Sequence, residues 1–156
     1  MTATDQEHPW VLAAPFRAHL RQVQAASGLP WRVLALAAGV SPALVRHLVL
    51  GRHGRLPHRI SPETARRLLG LDTARLAGLA VESVSARQTA ERVRLLLQAG
   101  HDPAELARWC RLSESQLSAL DRASRCSRLL ALLVEAVCPP ALAGDPDEAD
   151  AAEEAA

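Results

Sequence analysis

Between Ser41 and Arg59 the chain sets Ser41, Ala43, Arg46 and His47 within one short helix length and follows them with Arg52, Arg55 and Arg59. An arginine can donate two parallel N–H bonds to the edge of a guanine, and a histidine can donate one. Short residues at the start of a helix, with an arginine one turn later, suit a helix that reads base edges in the major groove. Arginines on an irregular stretch suit phosphate oxygens, the commoner kind of nucleic-acid contact. The charge distribution agrees with such chemistry. The formal net charge is only +1, yet no Asp or Glu occurs from His8 to Pro62, where Arg17, Arg21, Arg32, Arg46, Arg52, Arg55 and Arg59 and five of the six histidines lie. The far end is the reverse, with Asp145, Asp147, Glu148, Asp150, Glu153 and Glu154 and no base. An acid-free segment of this length is an electrostatic footprint for a polyanion.

The elements that must position these residues are legible in Trp31 to Leu50, WRVLALAAGVSPALVRHLVL. It reads as a helix-turn-helix. Ala35 and Ala38 are small where two helix backbones touch. Gly39 suits a left-handed turn without steric conflict. Val40, Val45 and Leu48 are the inward anchors of the second helix, with Leu34 on the first. Ser41 is placed to cap the helix 42–50, and Pro42 to fill its first position, where a missing N–H is harmless. Ser41, Ala43, Arg46, His47 and Leu50 then face outward. The stretch 51–59, GRHGRLPHR, carries too much Gly and Pro to be helical and reads as a basic loop.

Taken in order, the chain predicts an all-α protein, a helix-turn-helix domain followed by a second small helical domain. Nearly half of the residues are apolar, there is no Tyr and one Phe, and Ala, Leu and Arg dominate. Residues 1–8 are expected to be disordered. The DNA-binding domain covers 9–79, with an apolar lead-in from Pro9, a helix from Phe16 to Ala26, and later helices opened by Ser61-Pro62-Glu63 and by Asp72. Residues 80–85, AVESVS, read as a linker, 86–140 as the second domain, and 141–156 as a disordered acidic tail. Within the second domain Pro103 to Arg122 echoes the first motif, with Arg111 where Gly39 stood. Its outward face carries Glu114, Ser115, Ser118 and Asp121, with Arg108 and Arg111 close by. Two uses stay open for it: further DNA contacts through Arg108, Arg111 and Ser115, or helical packing and dimerisation.

Other classes find little support. There is no Gly-rich phosphate loop, nucleophile elbow or paired-carboxylate pattern, so no enzyme and no cofactor are expected. His47, His53 and His58 lack ligand spacing with Cys or carboxylates, so no metal is expected. Three cysteines without C-x-x-C spacing read as small apolar groups. No signal peptide is evident, and no run approaches the roughly 20 apolar residues of a membrane span, so a cytoplasmic, nucleoid-associated protein is expected.

The stretch from Pro15 to Leu79 resembles the lambda-repressor-like (Cro/C1-type) DNA-binding family. The resemblance rests on Ala35, Gly39, Val40, Ser41, Val45 and Leu48 and on RISPETARRLLGL, which looks like the fourth helix of such domains. The tandem form is similar to actinobacterial regulators and phage immunity repressors. It implies sequence-specific binding to a double-stranded DNA operator, with Ser41, Ala43, Arg46 and His47 at the base-reading places. Arg32, and Arg52, Arg55 and Arg59 from a loop (51–59) longer and more basic than the family's usual one, would contact phosphates or the minor groove. The partner is DNA, bound by a homodimer or by a monomer with tandem units. The competing expectation is an adaptor or antitoxin-like module that grips another protein, motivated by the acidic outer face of the second unit and by Leu129, Leu130, Leu132 and Leu133.

Overall fold

The computed structural model describes residues 9–138. The expectations for residues 1–8 and for the tail 141–156 lie outside the described residues. The chain divides into two compact units, Met1–Gly78 and Leu79–Ala156. It is mainly helical, with two small antiparallel sheets that the all-α expectation did not include.

The first unit opens on β1 (Val11–Leu12), which pairs with β2 (Arg59–Ile60) in the register Val11 to Ile60 and Leu12 to Arg59. The predicted apolar lead-in is therefore a strand. Ala13, fully buried, extends the ladder by donating its N–H to the His58 carbonyl at 2.8 Å. Then come α1 (Ala14–Ser27), α2 (Trp31–Ala38) and α3 (Pro42–Leu50), and after β2 the helices α4 (Pro62–Leu69) and α5 (Thr73–Val81). The helices start and stop for local reasons. Gly28 and Gly39 end α1 and α2 at φ of +66° and +71°. The Ser61 hydroxyl caps α4 by accepting the Thr64 N–H, and Asp72 accepts that of Arg75. Leu20, Val33, Leu34, Ala35, Val45, Leu48, Leu68 and Leu71 are buried in this unit. Each large aliphatic side chain so buried contributes about 1.5–3 kcal/mol.

The second unit repeats that order. β3 (Ser83–Ser85) is followed by α6 (Arg87–Gln98), α7 (Pro103–Trp109), α8 (Glu114–Ala119) with a tight turn at Leu120–Arg122, β4 (Arg125–Ser127) and α9 (Arg128–Val137). β3 pairs with β4, Ser83 to Ser127, Val84 to Cys126 and Ser85 to Arg125. The expected linker 80–85 is thus no linker. Its first residues belong to α5 and its last three to a strand of the second unit, because the Val84 to Cys126 pairing gives their backbone groups partners. The correspondence with the first unit is detailed. Ala86 is fully buried and donates to the Ser124 carbonyl at 3.1 Å, as Ala13 does to His58. Ser127 caps α9 through the Leu130 N–H, as Ser61 caps α4. At the second reversal Arg111 adopts φ +59°, so an arginine occupies the left-handed turn that Gly39 makes in the first unit. Leu112 donates to the Ala107 carbonyl at 2.9 Å, as Val40 does to Ala35 at 3.0 Å, which is the same helix-end bonding pattern in both. Val93, Leu96, Leu106, Cys110, Leu117, Leu120, Leu130 and Val134 form this unit's core. Arg92 of α6 reaches Glu135 of α9 at 3.6 Å.

Cys110 and Cys138 are buried, Cys126 is half-buried, and all three are free thiols. Burial pushes the Cys110 thiol from its ordinary value of 9.0 up to about 11. The folded thiol keeps its proton where the unfolded one has lost it. Its contribution is complete below about pH 9 and is lost as pH rises to about 11. The chain has neither Lys nor Tyr, so no other kind of side chain titrates in that window. Urea midpoints measured from pH 8 to pH 11 should fall by an amount of order 2 kcal/mol in stability. Cys110→Ala should flatten that fall.

Candidate nucleic-acid interface

The helices α2 and α3 meet through a three-residue corner. Gly39 and Val40 donate their N–H groups back to Leu36 and Ala35, closing the end of α2. Two arginines complete the closure, and a third holds the far end of α3. Arg75 donates to the carbonyls of Ala37 (3.1 Å) and Gly70 (3.3 Å). Arg67 donates to the carbonyl of Gly39 while pairing with Glu63 at 2.6 Å. Arg17 donates from Nε to the Leu48 carbonyl at 2.7 Å, near the end of α3, and from Nη2 to the Pro57 carbonyl at 3.0 Å. These cations lie at the negative ends of α2 and α3, where the helix dipoles favour them. Arg17, counted above as part of a basic footprint, is instead occupied in holding α1 to α3.

Along α3 the inward and outward sides separate as helical spacing requires. Val45, Leu48 and Val49 are buried, while Ala43, Arg46 and Leu50 are exposed at positions i, i+3 and i+7. His47 is half-buried beside them, and Ser41 is exposed at the helix start. Ser41 stands at the cap position, but its hydroxyl makes no capping bond, unlike Ser61. It lines instead a shallow groove of about 200 Å³ with Gly39, Val40, Leu44, Glu63, Thr64 and Arg67. Arg32 is exposed on the first turn of α2.

The stretch after α3 is more ordered than a basic loop. The Arg52 N–H donates to the Arg55 carbonyl at 2.8 Å and the Arg55 N–H to the Arg52 carbonyl at 3.0 Å. His53 and Gly54, at φ +51° and +73°, form the two-residue tip of this hairpin. Two successive left-handed residues are what a tight hairpin matched to strand twist demands. Both ends are held: Gly51 donates to the His47 carbonyl at 2.8 Å, and Pro57 is bound by Arg17. Arg52, Arg55 and Arg59 are exposed.

No protein-family model, curated protein or solved structure matches this chain. The internal repeat supplies a comparison within the chain. With the reversals superposed, Arg46 corresponds to Ser118, His47 to Ala119, Ala43 to Ser115 and Pro42 to Glu114. Ten positions separate Leu48 from His58, whereas four separate Leu120 from Ser124. The arginine hairpin is a six-residue addition of the first unit. In the second, Arg108 and Ser115 are exposed; the Ser115 hydroxyl is bonded to that of Ser113 at 2.9 Å, and Arg111 is the turn residue itself. Among the described residues no helix is long and apolar enough to cross a membrane.

Gly39→Ala meets only the tip of Arg67 at 3.8 Å, so its cost is the left-handed backbone alone, about 1–2 kcal/mol. Gly51→Ala would bring Cβ to 2.6 Å from the Arg55 carbonyl oxygen and should destabilise more. Urea denaturation of the two variants ranks them. Arg17→Met should lose about 1–3 kcal/mol for its two charged hydrogen bonds. It should also speed amide exchange at Arg52 and Arg55, and unchanged exchange there would show that Arg17 does not hold the hairpin.

Proposed function

We propose that the chain is a sequence-specific double-stranded DNA-binding transcriptional regulator of the repressor kind, with α2 and α3 as its helix-turn-helix. The observation that carries this reading is the exposed line Ala43–Arg46–Leu50 on α3, with Ser41 and His47 beside it, inside a stretch of 55 residues without an acid. Arg46 and His47 donate to base edges, Ser41 and Ala43 let the helix start approach them, and Arg32 and Arg59 neutralise phosphates. One such unit covers little DNA, so the reading includes either a homodimer or a second contact from Arg108, Arg111 and Ser115. A second reading, a module that grips another protein, draws support from the second unit. Its helix α8 exposes Glu114, Ser115 and Ser118 where α3 exposes its basic residue.

Fluorescence anisotropy on duplexes selected from a random pool tests the proposal. Affinity should fall with salt at a slope of about −0.9 per phosphate neutralised. Arg46→Ala should cut discrimination between selected and random duplexes by about 5- to 150-fold. Arg32→Ala should weaken all duplexes alike and reduce the salt slope by about 1. A chain that binds selected and random duplexes equally, or a stoichiometric protein partner captured without any DNA affinity, would sink this reading in favour of the second.

A further inference from the structure

The two units differ at the outer edge of their first strand. In the first unit the Ala13 N–H goes to the His58 carbonyl and Val11 stands opposite Ile60, so the alternate residues 11 and 13 are the ones bonded toward β2. In an antiparallel ladder the residues between turn their backbone groups the other way. The N–H and carbonyl of Leu12, and by the same alternation those of Trp10 just before β1, therefore face away from β2. Among the described residues nothing is bonded to them. Their side chains are bare as well: Trp10 is 60% and Leu12 64% exposed. The second unit closes the same edge. Ser83 and Ser85 stand where Trp10 and Leu12 stand, and Arg125 and Cys126 where Arg59 and Ile60 stand. Arg125 donates from Nε to the Ser83 hydroxyl at 3.1 Å and from Nη2 to the Ser83 carbonyl at 2.7 Å, and the Cys126 thiol lies 4.0 Å from the Ser85 carbonyl. Polar and charged cover of this kind keeps a strand edge from pairing with another chain. On the same framework the first unit puts apolar side chains at both places. Ile60 has nothing to donate, and Arg59 makes no side-chain bond among the described residues.

An open edge with apolar side chains is a template for a further strand, and the pattern of this one names the strand. Set a second β1 antiparallel to the first, with a twofold axis at Val11. Leu12 then lies opposite the partner's Trp10, and Trp10 opposite the partner's Leu12. Each outward N–H meets an outward carbonyl, and each tryptophan has a leucine as its cross-strand neighbour. The edge is complementary to itself, as an interface across a twofold axis must be. We propose that β1 pairs with β1 of a second copy of this chain and joins the two first units as a dimer. The contact is small. Covering a tryptophan and a leucine on each copy removes on the order of 500 Å², against the roughly 1,200 Å² or more of a stable interface. That suits a reversible dimer completed where two copies share one duplex, which raises the local concentration of each for the other. The pairing supplies the homodimer included in the DNA-binding reading but does not rest on that reading, because it forms without DNA.

Sedimentation of the full chain without DNA tests the pairing at concentrations up to about 1 mM, where even a weak contact assembles. Wild type should pass from monomer to dimer. Over the same range amide exchange at Trp10 and Leu12 should slow, while exchange at Val11, already opposite Ile60 in the ladder, stays constant. The variant W10S/L12S carries the residues that the second unit has at these places, so it keeps a sequence compatible with the strand. It should weaken association by roughly 30-fold, the loss expected of one interface hot spot. A chain that stays monomeric at the highest concentration overturns the pairing. Association that W10S/L12S leaves intact also overturns it and moves the interface elsewhere on the chain. Association without slowed exchange at Leu12 overturns it too, since the strands then do not hydrogen-bond. A chain that associates through β1 yet binds selected and random duplexes equally upholds the pairing and sinks the DNA-binding reading alone.

Discussion

The arrangement of the first unit depends on one closure: the N–H groups of Gly39 and Val40 return to the last carbonyls of α2 while the chain reverses direction. Helix ends leave carbonyls without intrahelical partners. Two of the remaining acceptors, on Ala37 and Gly39, are met by arginines from α5 and α4. Helices that follow α3 in sequence therefore brace the corner that precedes it. Because the corner is fixed from several directions, the outward line of α3 is a property of the whole unit and not of the helix alone.

The second unit shows what the framework demands and what it leaves free. Common to both are the strand pair, the buried alanine after the first strand, the left-handed reversal and the serine cap. Those features satisfy backbone groups and fill the core, so any sequence adopting this order needs them or equivalents. The reversal is the informative case, since Arg111 makes it despite the steric penalty that Gly39 escapes. Arg46 and the arginine hairpin belong to the first unit alone. Residues absent from one copy of a shared framework are the natural place to look for function.

The limits of α2 and α3 were readable from sequence because Gly39 and Pro42 are local punctuation whose effect needs no tertiary partner. The alternation of buried Val45 and Leu48 with exposed Ala43 and Arg46 was readable for the same reason, through helical periodicity. The strands were not. Ladders of two or three residues have no period, and Val11–Leu12 acquires its partner only when Arg59–Ile60 returns from 48 residues away. Gly and Pro mark 51–59 as non-helical, but a left-handed histidine is not a usual turn signal, so the hairpin within it leaves no trace in the sequence. Arg17, Arg67 and Arg75 looked like surface charge, and only their distant carbonyl partners identify them as braces. Composition counts a guanidinium without saying what it faces.

The ladder from Val11 to Ala13 has a consequence for how the hairpin behaves. Its last rung joins Ala13 to His58, one residue beyond the proline that Arg17 holds, so a segment far upstream in the chain serves as the hairpin's anchor. Displacing that segment would remove one of three holds on the arginine hairpin and leave those made through His47 and Arg17. The setting of the hairpin is thus fixed in part by residues that precede the first helix of the unit.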